Sequence, residues 1–299
     1  MKLLAERARV VRAVRAFFES RGFVEVETPA IVPSPGMDLH LDAFAVERGY
    51  LITSPEYQMK RLLADGWERI FQIARCFRRG ERGAQHNPEF TMVEWYRGNG
   101  GAEDVMRDTE QLAAAVSGGA FRVDGRVIDG RPPFSRITVC DAFQRFAGVS
   151  EADVLAWAAS DEDRYFRTWV ERVEPRIAEM DRAVFVVDYP APMASLARQK
   201  PSDARFCERF ELYVAGIELC NGFGELTDPR EQRARFEHDQ AARKARGLPV
   251  YPIDEKFMAA LERGMPPSGG NALGVDRLVA LVCGTTDIRR VIAFSADDV

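Results

Sequence analysis

Histidine is scarce in this chain. Only His40, His86 and His238 occur in 299 residues, and the five cysteines (Cys76, Cys140, Cys207, Cys220, Cys283) form no CxxC pair. No ligand spacing for a structural zinc site remains, and an odd cysteine count fits free thiols in a reducing compartment. Long hydrophobic runs are missing too. No stretch approaches the roughly 18–20 apolar residues that a membrane helix needs. The opening MKLLAERARV is charged too early for a signal-peptide core. Charge of one sign does not dominate. Lys and Arg number 41 against 46 Asp and Glu, a net −5, which excludes a general nucleic-acid coater while permitting a local basic patch. Internal repeats and low-complexity tracts are absent. The remainder, 46% hydrophobic and 29% charged, is a globular composition long enough for one large domain or two ordinary ones. A soluble, cytoplasmic protein is expected.

Along the chain, Val10, Val11, Val14, Phe17 and Phe18 recur at helical spacing, with Gly22 as the stop. FVEVETP reads as a strand ending at Pro29. YLIT reads as a second strand leading into the helix SPEYQMKRLL, with Ser54 as N-cap and Pro55 first in the helix. RIFQIARCF and EFTMVEWYR read as strands around a charged loop. Residues 101–182 read as a helical insertion. VFVVDYP returns to strand, and RFELYVAG with IELCNGF predicts a hairpin. TDPREQRARFEHDQAARKARG predicts a helix with Asp228 as N-cap, Glu231 completing a capping box and Gly247 as stop. A strand at ALG and a helix at VDRLVALV close the chain. Neighbouring strands with short turns predict an α+β fold: a central antiparallel sheet flanked by helices.

Three segments carry chemistry. If Ala215 and Gly216 form the hairpin turn, Tyr213 faces Glu218 and Glu211 faces Cys220, so all four share one sheet face. Glu211 and Glu218 are then diagonal neighbours roughly 6–8 Å apart. Two such carboxylates repel, and need water, a basic partner or a cation; oxygen ligands at this spacing suit Mg²⁺ bridged to phosphates. Taken alone, the hairpin equally fits an exposed polar sheet face. Asn221 has the opposite parity and joins this face only through a bulge, expected near Gly222. Glu225, just beyond, reads unaided as a polar loop residue. The second segment spans Lys60 to Arg82, with seven basic and three acidic residues. Its loop RRGERGAQHNPEF combines arginines that pair with phosphate and glycines that let backbone approach closely, although it also fits a solvated hairpin loop. Phe90 suits either a base stack or the core. The third is PPSGGNALGVDRL, where Arg277 falls in the first turn of a helix whose N-terminus favours anions. In order, these segments would neutralise and clamp a triphosphate.

The pieces together resemble the catalytic domain of class II aminoacyl-tRNA synthetases of the lysine type. AERARVVRAVRAFFESRGFVEVETP is similar to the first signature of that class, FRRGERGAQHNPEFTMVEWYR to the second and GGNALGVDRL to the third. The likeness covers roughly 7–33, 50–97 and 184–295, and is poor over 101–182. GIELCNGFGELTD is specific to the lysine type. TSPEYQMKRLL, HNPEFTMVEWYR and Ala272 between Gly270 and Gly274 resemble the short lysyl-tRNA synthetase paralogues of the GenX or PoxA group. These lack the N-terminal anticodon-binding domain and attach β-lysine to a lysine of elongation factor P.

This resemblance implies ATP and Mg²⁺, a lysine or (R)-β-lysine substrate, elongation factor P as acceptor, a single catalytic domain without an anticodon-binding domain, and a homodimer with Pro29 at its interface. It argues against tRNA as a partner. It implies Arg78 at the α-phosphate and Arg277 at the distal phosphates. Phe90 is expected on adenine with His86 and Asn87 near the nucleotide, and Leu219 and Gly274 beneath it. Glu211 and Glu218 are expected to hold Mg²⁺. Glu56 and Glu225 are expected at the two ammonium groups of the amino acid, with Ser54, Pro55, Tyr96 and Ala272 lining the pocket and Asn221 fixing the carboxylate. The second signature departs from the family's Arg-x-Glu: here it runs Arg78-Arg79-Gly80-Glu81, which leaves the role of Glu81 open. The implied reaction forms an aminoacyl-adenylate and transfers it to an amine. Acylation of RNA by a truncated synthetase, or an inactive lysine- or nucleotide-sensing module, are the competing readings.

Overall fold

The computed structural model describes residues 2–194 and 196–299. Its centre is a nine-stranded mixed sheet. Across it run Val24–Glu25, Arg69–Phe77, Glu89–Gly98, Ser268–Gly274, Ile217–Gly224, Asp203–Val214, Val184–Pro190 and Ser135–Thr138, with Gln199–Lys200 added beside Asp203–Val214. The six middle strands are antiparallel, as expected. The sheet is mixed because Val24–Glu25 and Ser135–Thr138 join it in parallel.

Alternation along these strands sorts the two faces. Phe71, Val93, Trp95, Leu212 and Leu273 point one way, into a core covered by the helices Lys2–Glu19, Ala102–Ser117 and Val275–Val282. Val10, Val14, Phe17 and Phe18 supply the buried stripe of the first helix. The opposite face is covered only at its ends. At one end, Ile70 and Tyr96 pack under the helices Glu56–Ala64, Pro229–Ala245 and Glu255–Gly264. At the other, Val184, Val186, Cys207 and Tyr213 pack under short helices between 139 and 178. Between these two covers the sheet lies open as a cleft of about 1270 Å³.

Several local expectations shift. FVEVETP yields only the two-residue strand Val24–Glu25. The helix after YLIT begins at Glu56, with Pro55 rather than Ser54 as N-cap, because the Ser54 hydroxyl donates to Glu94 at 2.5 Å while accepting from the Glu56 N–H at 3.2 Å. Asp228 caps its helix as expected, accepting from Arg230 and Glu231 N–H. The Glu231 carboxylate, however, pairs with Arg235 one turn on. Residues 101–182 are not purely helical. They include the hairpin Ala120–Val123 with Arg126–Asp129, and the edge strand Ser135–Thr138. The hairpin turns on Asp124 and Gly125, both at positive φ, as a tight two-residue turn requires.

Candidate active site

The Ala215–Gly216 turn joins Val214 to Ile217, and Tyr213 pairs with Glu218. The register then slips: Leu212 pairs with Cys220 and Glu211 with Asn221, not Cys220. The bulge therefore sits at Leu219, earlier than Gly222, and it brings Asn221 onto the face of Glu211 and Glu218. Leu219 consequently packs in the helix-covered core while also touching the cleft. The same row continues through Ala272, Glu94 and Gln72, and the next runs through Arg209, Phe223, Gly270, Tyr96 and Ile70. The sheet is thus a ruled floor on which residues far apart in sequence become lateral neighbours.

At one end of the cleft stand the arginines. Arg277 donates from Nη1 to the Glu218 carbonyl at 2.7 Å and from Nη2 to His86 Nε2 at 2.8 Å. A guanidinium cannot accept, so His86 is neutral at Nε2 in this contact. Partial desolvation beside Arg277, together with that arginine's charge, holds its pKa down. Arg78 lies over the Phe90 ring, 5.0 Å from its centroid, and its buried Nε has no hydrogen-bond partner among the described residues. Glu81 stands 3.7 Å from Arg78, so the displaced glutamate still faces this arginine. Asn87 is committed to backbone: Nδ2 donates to Glu89 O and Oδ1 accepts from Ala296 N. It borders the cleft as a loop brace. Gly274 caps the Arg277 helix.

The carboxylate hairpin is more occupied than the sequence suggests. Both Glu211 oxygens are taken, Oε1 by Arg209 at 2.5 Å and Oε2 by the Tyr213 hydroxyl at 2.8 Å. Glu218 remains available, 3.8 Å from Arg277. Its place in the cleft and the charge of Glu211 push its pKa up, while 41% side-chain exposure keeps water at hand. Among the described residues no group of three or more metal-ligating side chains gathers. Two carboxylates still fit an ion whose other ligands are phosphate and water, the usual manner of Mg²⁺.

Deeper, beside the helix Glu56–Ala64, lies an acidic pocket. Glu56 borders the cleft. Glu94, Tyr96 and Glu225 are 1%, 2% and 1% exposed, sealed behind the cleft wall rather than on its open surface. Lys60, wholly buried, stands between Glu56 and Glu225. Its Nζ lies 2.5 Å from Glu56 Oε1 and 2.6 Å from Glu225 Oε2, filling the space between the carboxylates expected to receive a guest. Glu94 accepts from Ser54 and Tyr96, each at 2.5 Å. Burial and the charge of Glu56 push Glu94 up to about 7. Burial, opposed by Lys60 and reinforced by Glu56, pushes Glu225 up to about 8. The Lys60 ammonium stays charged, its pKa raised by both carboxylates against its own burial. The pocket is therefore an acidic cluster that shares protons and carries one internal cation. The buried Asn221 Oδ1, facing the same cleft, has no hydrogen-bond partner among the described residues.

Sequence reading missed Lys60, Glu94, Arg209 and Gly270. Each had a signal: Lys60 is one helical turn from Glu56, Glu94 and Arg209 share strand faces with Tyr96 and Glu211, and Gly270 lies in the glycine strand Ser268–Gly274.

A mixed sheet with a helix-backed core, two clustered arginine anchors and a carboxylate hairpin on one cleft defines a class of enzyme. The model of tRNA synthetases class II (D, K and N) matches residues 1–298, and the chain belongs to that family. Class II synthetase-like ligases use ATP, generally with Mg²⁺. Among curated relatives, the chain is 42% identical to the "Elongation factor P--(R)-beta-lysine ligase" of Klebsiella pneumoniae (strain 342), over 98% of this chain and 95% of that protein. Proteins of the same name from Enterobacter sp. (strain 638) and Salmonella heidelberg (strain SL476) are 42% and 40% identical over the same shares. No helix among the described residues is long and apolar enough to cross a membrane.

Proposed function

We propose that this chain activates (R)-β-lysine, or a closely related diamino acid, with ATP and transfers it to a lysine side chain of elongation factor P. The observation that carries this reading is one cleft with anion-binding groups at one end (Arg78, Arg277) and an acidic pocket at the other (Glu56, with Glu94 and Glu225 behind it). Such polarity suits a nucleotide beside a dication. The names of relatives at 40–42% identity over nearly the whole chain support the acceptor. The 299 residues act, in this reading, as one catalytic domain with 101–182 as an insertion.

In the first step an amino-acid carboxylate oxygen attacks the α-phosphorus of ATP and the bond to pyrophosphate breaks. In the second, the acceptor amine attacks the adenylate carbonyl, AMP leaves and the amine loses a proton. The first step asks for positioning and charge neutralisation rather than a base. Arg78, with its unpartnered Nε, is assigned to the α-phosphate and Arg277 to the distal phosphates. Phe90, already stacked with Arg78, offers a face to adenine, and His86 accompanies Arg277. Asn221 offers an amide to the substrate carboxylate, and Ala272 beside it shapes the floor. Glu218, with Glu211, would hold Mg²⁺, which supplies charge compensation to the phosphates when bound. Val24 on the edge strand of the central sheet, with Pro29 and Ile31 just after it, is exposed and suits a homodimer, which light scattering would test.

The deciding experiment incubates enzyme, ATP and (R)-β-lysine with elongation factor P and reads intact mass. A gain of one β-lysyl group supports the proposal. An unmodified factor together with charged tRNA, or the absence of pyrophosphate exchange with any diamino acid, overturns it.

A further inference from the structure

The strongest feature left unused is the buried lysine. Lys60 is fully enclosed yet lies within 2.6 Å of two carboxylates. Burying an ammonium is costly unless it is paired, and here it pairs with the two side chains assigned above to the guest. The third carboxylate, Glu94, accepts from the hydroxyls of Ser54 and Tyr96. Once a guest has displaced the shared protons, three ionised carboxylates against one ammonium leave two negative charges, the complement of a guest with two ammonium groups.

We infer that Lys60 is a positioning residue that sets amino-acid selectivity, by fixing Glu56 and Glu225 in one fork and limiting the pocket to a net charge of −2 opposite a doubly cationic guest. This deepens the reading under Proposed function and rests on it. Without the internal cation, three adjoining buried carboxylates cannot all ionise even when a guest binds. They would take up protons, and a pocket of neutral acids discriminates poorly between a diamine and a monoamine. The groups facing the ammonium are Glu56 on its own helix, Glu94 on the Glu89–Gly98 strand, and Glu225 after the hairpin, with the Tyr96 hydroxyl reached through Glu94.

The test is amino-acid-dependent pyrophosphate exchange by wild type, Lys60→Met, Glu225→Gln and the double variant, with (R)-β-lysine, lysine and norleucine. For Lys60→Met the KM for the diamino acid rises about tenfold, the scale of one lost charged hydrogen bond, while the KM for ATP stays unchanged. The preference over norleucine narrows, and the acid limb of the kcat/KM profile moves to higher pH. Because Lys60 acts through Glu225, the double variant is no worse than Glu225→Gln alone. Unchanged KM and selectivity in Lys60→Met, or effects that multiply in the double variant, overturn the inference. Should Lys60→Met fail to fold, the double variant against Glu225→Gln carries the same comparison, since the amide removes a charge that the lysine would leave unpaired. Loss of exchange in wild type with every diamino acid instead overturns the underlying function.

Discussion

Single residues in this cleft are constrained by what stands directly across the sheet. Gly270 is the sharpest case. A Cβ there would fall 2.2 Å from Glu225 Oε1 and 2.3 Å from Tyr96 Cε1, so a side chain at this position and the acidic pocket exclude each other. Gly270→Ala is expected to displace Glu225 and Tyr96, costing about 1–3 kcal/mol of stability as an overpacked site does. The sharper effect falls on the KM for the diamino acid in pyrophosphate exchange, with the KM for ATP preserved. Equal damage to both constants would mean general distortion and contradict the assignment. Arg78 is constrained by chemistry rather than space. Its planar fork and unpartnered Nε are not reproduced by an ammonium. Arg78→Lys should keep the fold by circular dichroism and lower kcat about a hundredfold, the scale of removing one preorganised donor.

Elements are held together where one side chain serves several of them. Asp276, in the first turn of Val275–Val282, accepts the Thr91 N–H at 2.9 Å and pairs with Arg7 at 2.5 Å. It ties that helix to a central strand and to the first helix, and thereby aims Arg277. Asp276→Ala leaves Arg7, 18% exposed, without its carboxylate. A loss of about 2–3 kcal/mol follows, below the full cost of a sealed pair, and would be read in urea unfolding. Asp276→Asn, which retains an acceptor for Thr91, should lose less; equal losses would show that the Thr91 hydrogen bond contributes nothing beyond the carboxylate charge. These elements were legible in sequence where periodicity was strong, as in Val10, Val14 and Phe18 of the first helix or the Asp228 cap. The family signatures also carried Arg78, Arg277, Glu56 and Asn221 to one cleft. What stayed hidden depended on contacts distant in sequence. The bulge at Leu219 shifts register without any glycine to announce it, and Glu94 draws Ser54 away from a plain capping role. The strand Ser135–Thr138 is short, and gains its place only by pairing with Val184–Val187. Likewise, an isolated Lys60 reads as one more surface cation, because nothing local says that Glu225 closes over it.

At the scale of the molecule, the open middle of the sheet couples ligand binding to protons. Glu94 and Glu225 sit near 7 and 8 instead of their ordinary 4.5. A carboxyl whose folded pKa is raised favours the folded state fully below its unfolded value, and that contribution is lost as pH climbs through the folded pKa. The free enzyme should therefore lose stability between about pH 4.5 and 8 from these two groups. A dicationic guest supplies positive charge in place of their protons. It lowers both pKa values, releases protons on binding, and binds more tightly as pH rises through this window. The stabilising shift in Tm produced by saturating (R)-β-lysine should consequently be larger at pH 8 than at pH 6, at matched ionic strength. Calorimetry at pH 7 in two buffers of different ionisation enthalpy should register net proton release. A Tm shift that shrinks with rising pH, or binding heats independent of buffer, would mean that the pocket meets its guest with its carboxylates already fully ionised, and that the charge balance around Lys60 is set by something other than shared protons.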